Sequence, residues 1–344
     1  MPIFKNRFVF SEAYVPSKIL HRDDEISLIY TAISPIKQGE KPLNIFIYGQ
    51  TGTGKTLVTK YVLSKIGDYI YINCKFAGIT KRIESFIREF SLQLGQDFYD
   101  LTDVIQYIRD KKLIIVFDEV DQLSKDLGDE ILYTFTRAPG NIGIIGISNN
   151  IFFVDRLDPR VRSSLSELEI LFKPYNALQL RDILLERAKE GLYENSYDLA
   201  AISYIAAVTA REYGDARRAI NLLRLAGEIA ERKGKNKIEL EDAKEAIELE
   251  EKDKVKFVIE SLPLQSKLVL KSIAELKDTT LGKAYELYYR KSLEKSVTPI
   301  TFRRFVEIVN DLETLGLVSI DFALLNGKRV RKVKTFISPK IIDL

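Results

Sequence analysis

GQTGTGKT at residues 49–56 follows the apolar run LNIFIY at 43–48 and precedes LVTKYVLSKI at 57–66, so a glycine-rich loop joins a buried strand to a helix. Gly49, Gly52 and Gly54 let the backbone take conformations closed to residues with a Cβ, and successive N–H groups can then converge on an anion at the helix N-terminus. Gln50, Thr51, Thr53 and Leu57 complete the cradle. In a phosphate loop of this pattern Lys55 reaches the terminal phosphates and the Thr56 hydroxyl can ligate magnesium. The flanking strand and helix are the context that separates such a loop from a plain glycine-rich turn.

Working outward, LIIVFDEVD at 113–121 is a continuous β-branched run of the kind found in buried parallel strands, and it ends in two adjacent carboxylates. Neighbours on a strand point to opposite sides, so Asp118 and Glu119 are expected to do different jobs. Asp118 suits a magnesium ligand acting through water, and Glu119 suits the group that orients and polarises an attacking water. Solvated acids capping a strand are the plain alternative.

The chain has 344 residues, which implies two or three domains. No apolar stretch approaches membrane-spanning length, and MPIFKNRF at the start lacks the apolar core of a signal peptide, so a cytoplasmic protein is expected. Cys74 is the single cysteine, which excludes a disulfide framework and a cysteine-bearing zinc cluster. His21 is the single histidine, which excludes catalytic triads and His-rich metal sites. Residues 255–344 hold 16 Lys and Arg against 10 Asp and Glu, a net of +6, and the remainder is −3. A basic C-terminal part of this kind points to a polyanionic partner.

Strand-like runs recur at 43–48, 69–73, 113–118, 141–148 and 168–172 with helical segments between, which predicts a parallel α/β sheet over residues 1–175. From Asn176 the periodicity is helical throughout, and a small bundle is expected over 176–252, ending in the charged run EEKDKVK at 250–256. Residues 253–344 then read as three helices, the third starting with Thr298 as N-cap and Pro299 at its first position, and a hairpin around Asn326-Gly327. Three helices followed by such a hairpin describe a winged helix-turn-helix.

YVPSKILHRDDEI at 14–26, the two motifs above, ISNN at 147–150, LDPRVRSSL at 157–165 and GDARRAINLL at 214–223 together resemble the initiator group of AAA+ ATPases. Within it the chain is most similar to the archaeal replication initiators related to the largest origin-recognition-complex subunit and to the cell-division-control helicase loader. The resemblance implies ATP or ADP with Mg²⁺ as cofactors, held by the loop residues, Thr56 and Asp118, with Val15, Pro16 and Arg22 at the adenine. It implies Asn149 as a sensor that positions water and Arg217 as a lid sensor on the phosphates, although Arg217 also reads as a surface helix arginine. Where relatives that hydrolyse ATP between subunits often carry Ser-Arg, this chain has Ser163-Ser164. Arg160 and Arg162 are nearby substitutes for the missing finger, and slow hydrolysis by an isolated molecule is expected.

The same resemblance implies double-stranded origin DNA, the replicative MCM helicase and paralogous initiator subunits as partners, and a nucleoid location. DNA contacts are expected from Lys75, Thr80, Lys81 and Arg82 in an insertion after the second strand. Thr301, Arg303 and Arg304 are the candidates on a recognition helix, and Lys328, Arg329, Arg331 and Lys332 on a wing. A solvated helix face or a protected sheet edge accounts for single members of this set. A signalling ATPase whose winged helix regulates transcription shares the loop, lid and wing, but the VPSKILHR arm and the insertion favour the initiator.

Overall fold

The computed structural model describes residues 2–76, 82–165, 168–325 and 328–342. It separates into two compact units, residues 1–246 and 247–344.

The first unit is built on five parallel strands, β1 (Ile45–Gly49), β2 (Tyr69–Asn73), β3 (Lys112–Asp118), β4 (Asn141–Ser148) and β5 (Leu168–Phe172), in the order β2-β3-β4-β1-β5. β1, β3 and β4 are buried on both faces, which is why they read as unbroken apolar runs. Phe46, Ile115, Phe117 and Ile144 pack on one side, and Ile45, Ile47, Ile114, Val116 and Ile145 on the other. Helices α1 (Asp23–Ile33) and α2 (Lys55–Leu63) supply the second face, whereas α3 (Ile83–Leu94), α4 (Leu101–Ile108) and α5 (Lys125–Thr136) supply the first. A short helix α6 (Pro159–Leu165) leads into β5. This is the fold class the alternation of the sequence predicts.

The strand order decides where the chemistry sits. β3, β4 and β1 are adjacent, with Asp118 paired to Ile147 and Ser148 paired to Tyr48. The carboxyl ends carrying the acidic pair, the Asn149 turn and the phosphate loop therefore lie side by side, where ligands of open parallel sheets bind.

Helices α7 (Ala177–Gly191), α8 (Leu199–Glu212) and α9 (Ala216–Arg232) form the lid. Asn176 opens α7 with a full capping box through Gln179, and Asp215 caps α9 by accepting the Arg218 N–H at 3.1 Å. The N-terminal arm docks on this lid. Lys5 and Asn6 donate to the Gly191 carbonyl, Tyr193 donates to the Ile3 carbonyl, and Ile3, Val9 and Phe10 are buried. Helix α10 (Leu240–Ser261) does not stop at the charged run EEKDKVK but continues through it. Glu248 with Lys252, Glu250 with Lys254, and Lys256 with Glu260 form pairs one helical turn apart, which favour the helical state.

The second unit packs α11 (Leu264–Leu276), α12 (Leu281–Glu294) and α13 (Phe302–Thr314) around Tyr288, Phe305, Leu268 and Val309. Strands β6 (Asp278–Thr280), β7 (Ser319–Leu325) and β8 (Lys328–Lys334) form a sheet in the order β6-β8-β7, giving a winged helix with one more strand than the sequence pattern revealed. The expected start of α13 at Thr298 and Pro299 is corrected: the N-cap is Thr301, whose hydroxyl accepts from the Arg304 N–H. Residues 298–300 are held outside the helix instead, because Gln265 donates to the Thr298 carbonyl at 2.9 Å, Tyr285 donates to the Ile300 carbonyl at 2.9 Å, and the Ile300 N–H donates to Tyr288 Oη at 3.0 Å. The Asn326-Gly327 dipeptide lies outside the described residues.

Candidate nucleotide site

The phosphate loop is folded around its own lysine. Gly52 and Gly54 take φ of +74° and +93°, in the left-handed region, and a Cβ on Gly52 would strike the Asp215 carboxylate. That close approach lets the Ala216 N–H donate to the Gly52 carbonyl at 3.1 Å, so α9 of the lid starts on the loop itself. Lys55 is 7 % exposed, and its Nζ donates to the carbonyls of Gly49 and Gln50 at 2.7 and 2.8 Å and to Asn149 Oδ1 at 2.9 Å. Burial pushes this ammonium down to about 8, and Arg217 adds to that shift while Asp118, Asp121 and Glu119 oppose it.

Thr51, Gly52, Gly54, Lys55, Thr56, Leu57, Asp118, Glu119, Asn149 and Arg217 line one groove. The Arg217 side chain makes no hydrogen bond or ion pair among the described residues, whereas Arg218 pairs with Glu212. Gly49 and Gln50 enter the site through the carbonyls that hold Lys55, and Thr53 lies beneath the loop, its hydroxyl donating to the Gln50 carbonyl at 2.8 Å. The other end of the groove is formed by Val15 and Pro16 of the arm together with Ile183, Arg187 and Ile220 of the lid, a setting suited to a flat apolar ring. The Arg187 guanidinium lies 4.6 Å from the Tyr14 ring, and Tyr14 donates to Glu190 at 2.7 Å.

Arg22 sits behind the loop and is absent from the lining of the groove. It is 4 % exposed and bonded to protein throughout, to the Thr53 carbonyl and Tyr175 Oη at 3.0 Å each, to the Lys173 carbonyl at 2.7 Å and to Glu25 at 2.9 Å. It braces the loop from the rear. The preceding residue, His21, holds a left-handed φ of +59° and places Nε2 3.1 Å from Asp182 Oδ2 on α7.

Asp118 and Glu119 both face the groove, but strand alternation is not what separates them. β3 ends at Asp118, and Glu119 turns into the left-handed region at φ +53°. A bulky side chain held there is strained, as functional residues often are. Thr56 Oγ1 donates to Asp118 Oδ2 at 2.8 Å. Two hard oxygens in contact beside the loop fit a magnesium ion, and no cluster of three or more His, Cys, Asp or Glu able to hold a metal occurs among the described residues. A cation held by Thr56 and Asp118 would take the rest of its ligands from phosphate and water, as magnesium commonly does.

Three contributors carried no sequence signal that singled them out. Asp121 Oδ1 accepts from Ser148 Oγ at 2.8 Å and from the Asn149 N–H at 3.2 Å, fixing the turn that carries Asn149. Tyr71 donates its phenol to Asp118 Oδ2, and burial together with the Asp118 charge pushes that phenol up, so it remains a donor. Tyr175 ties Arg22 to the end of β5. Ser163 and Ser164 both donate to the Arg160 carbonyl, and the guanidinium groups of Arg160 and Arg162 are exposed and paired with Asp158 and Asp155.

Among the DNA candidates, Lys75 and Arg82 are exposed, Arg82 directly preceding α3, and Thr80 and Lys81 lie outside the described residues. Thr301, Arg303 and Arg304 are exposed at the start of α13, and both arginines pair with Glu307, at 3.5 and 2.8 Å. Arg331 is exposed over Phe322, 5.7 Å from the ring centroid. Lys332 lies within β8, the central strand, between Thr280 and Asp321, with an ion pair to Asp278. The side chains of Lys328 and Arg329 fall outside the described residues.

Comparison with known proteins agrees across both units. Residues 45–174 match the ATPase family associated with various cellular activities, 181–248 the Cdc6 AAA+ ATPase-type lid domain and 257–343 the CDC6 C-terminal winged helix domain. ORC1-type DNA replication protein 1 of Sulfurisphaera tokodaii is 41% identical over 96% of this chain and 89% of its own length. The chain belongs to the ORC1-type DNA replication proteins. The ORC1-type protein of Pyrococcus horikoshii is 40% identical over 92% of the chain and 83% of its own length. Among solved structures, the ORC1 protein of Aeropyrum pernix in complex with DNA superimposes with a TM-score of 0.73 at 34% identity, covering 99% of this chain and 95% of that one. Cdc6p of Pyrobaculum aerophilum gives 0.64 at 25% identity, covering 99% and 97%. No helix among the described residues of this ORC1-type chain is long and apolar enough to cross a membrane.

Proposed function

We propose that this ORC1-type chain is a nucleotide-switched replication initiator that binds double-stranded origin DNA. Its parts are an AAA+ domain at 1–175, a lid at 176–252 and a winged helix at 253–344. The observation that carries the reading is the junction of lid and loop: Arg217 and Lys55 line one groove, and the Ala216 N–H bonds to the Gly52 carbonyl. A cation on the lid and another on the loop make the lid's position depend on which phosphates lie between them. Val15 and Pro16 would bound the base, the loop N–H groups and Lys55 would hold the phosphates, and Thr56 and Asp118 would hold Mg²⁺, which neutralises phosphate charge. Glu119 would polarise the attacking water and Asn149, an amide unable to take its proton, would position it. With Ser164 at the finger position, hydrolysis by one copy is weak and the nucleotide acts chiefly as a switch.

DNA binding is supported by the basic winged helix and by the likeness to the Aeropyrum pernix protein solved with DNA. Arg303, Arg304 and Thr301 would enter a groove, Arg331 would meet the backbone, and the Lys75 to Arg82 segment would add a second contact. Recruitment of the replicative helicase belongs to the same reading through the family resemblance alone.

The test separates binding from turnover. Lys55→Ala removes the one buried cation of the loop and should abolish tight ATP binding in calorimetry. Glu119→Gln keeps the shape, loses the charge, and should retain ATP while single-turnover hydrolysis falls. Equal loss of binding in both variants would refute this division of labour.

A further inference from the structure

Asp118 is oriented from a direction that the phosphate loop does not explain. β2 is an edge strand, registered on β3 so that Tyr71 lies opposite Val116 and Asn73 opposite Asp118. The Tyr71 phenol donates to Asp118 Oδ2, the oxygen that also accepts from Thr56 Oγ1 at 2.8 Å. Asp118 Oδ1 accepts the Glu119 N–H at 2.9 Å. An ionised carboxylate offers about four lone-pair sites. Three are filled by protein donors, which fixes the plane of the group and leaves a single acceptor direction.

The tyrosine is itself held at both ends. The Tyr71 N–H donates to Gln93 Oε1 at 2.9 Å, and Gln93 Nε2 donates to the Tyr71 carbonyl at 2.7 Å, so one side chain of α3 satisfies the whole exposed edge of that residue. Gln93 Nε2 also donates to Glu89 at 2.7 Å, which fixes the sense of the amide. The Lys60 ammonium lies 4.3 Å from the centroid of the ring. Phenylalanine would fill the same space without the hydroxyl that meets the Asp118 carboxylate.

We propose that Tyr71 is a positioning residue for the divalent cation: it sets the Asp118 carboxylate so that its remaining lone pair and the Thr56 oxygen face the groove together. Outer partners that orient ligating carboxylates typically change metal affinity by about 10–100-fold when removed. The inference rests on the proposed binding of magnesium with nucleotide, and its test reads the two separately.

ATP affinity is measured by calorimetry on the full chain, with Mg²⁺ and with EDTA, for wild type and Tyr71→Phe. Wild type should bind more tightly with Mg²⁺. Tyr71→Phe should match wild type in EDTA, because the loop that grips phosphate is untouched, and its gain from Mg²⁺ should be smaller by about tenfold or more. Gln93→Ala, which keeps the phenol and frees the strand edge, should fall between them. An unchanged or larger Mg²⁺ gain in Tyr71→Phe overturns the inference, as does an equal loss with and without the metal, which marks general damage to the fold. A wild type indifferent to Mg²⁺ overturns the magnesium reading itself, and the inference with it.

Discussion

Lys55 is a charge kept close to its own neutral point. With burial holding it at about 8, near pH 8 about half of the nucleotide-free molecules carry a neutral amine there. Phosphate brought against it favours the ammonium and raises its pKa, so binding must take up protons. At pH 8 we expect uptake of roughly half a proton per nucleotide. At pH 6.5 the lysine is charged before and after, and its uptake should vanish. Calorimetry in two buffers of different ionisation enthalpy measures the uptake directly, and Lys55→Arg should remove the uptake at pH 8. Absence of uptake at pH 8 would mean that Lys55 does not meet the phosphates.

At the scale of the element, α13 presents two exposed arginines already shared with one carboxylate. Glu307 lies within 3.5 Å of Arg303 and 2.8 Å of Arg304 and holds its own carboxyl below the usual glutamate range through the Arg304 hydrogen bond. In the proposed DNA-bound state, phosphates lining the groove that α13 enters would compete with it. Glu307→Gln should therefore tighten binding to duplexes of any sequence and steepen the fall of log affinity with log salt by up to about 0.9 for each additional phosphate neutralised. Fluorescence anisotropy over a salt series reads this, and an unaltered slope would take α13 away from the DNA backbone. The elements themselves were legible in the sequence to different depths. β1, β3 and β4 were plain because burial on both faces demands unbroken apolar runs, and Gly52 and Gly54 were plain because only certain residues tolerate their φ. Thr298 before Pro299 read as the cap, and the helix starts later because Tyr285, Tyr288 and Gln265 bond to residues 298–300, which no local pattern encodes. β6 was invisible since three residues, Asp-Thr-Thr, carry no alternation and exist as a strand only through β8. The same holds within the site. Lys55, Thr56, Asp118 and Glu119 sit in motifs with fixed spacing, whereas Asp121, Tyr71 and the rear brace of Arg22 work through partners that the fold alone brings near.

For the molecule as a whole, the nucleotide groove has two walls, one from the sheet and one from the lid. A ligand bound only to the native state stabilises it by about 2.7 kcal/mol at 100 times its Kd. ADP should raise the Tm of the wild type, and Arg217→Ala should lose much of that rise, because the lid then has no cation facing the phosphates. Thermal melting at matched ADP concentrations reads it, and an unchanged shift in the variant would place Arg217 outside the site. One feature of the same junction makes the lid observable without any label. The chain has a single histidine, and it stands where the arm behind the phosphate loop meets Asp182 on the lid. A proton magnetic resonance spectrum of this protein contains one imidazole pair and no others to confuse it. Any movement that parts α7 from the loop changes the environment of that ring, so the signals of one imidazole follow the lid in a 344-residue chain through nucleotide exchange and DNA addition.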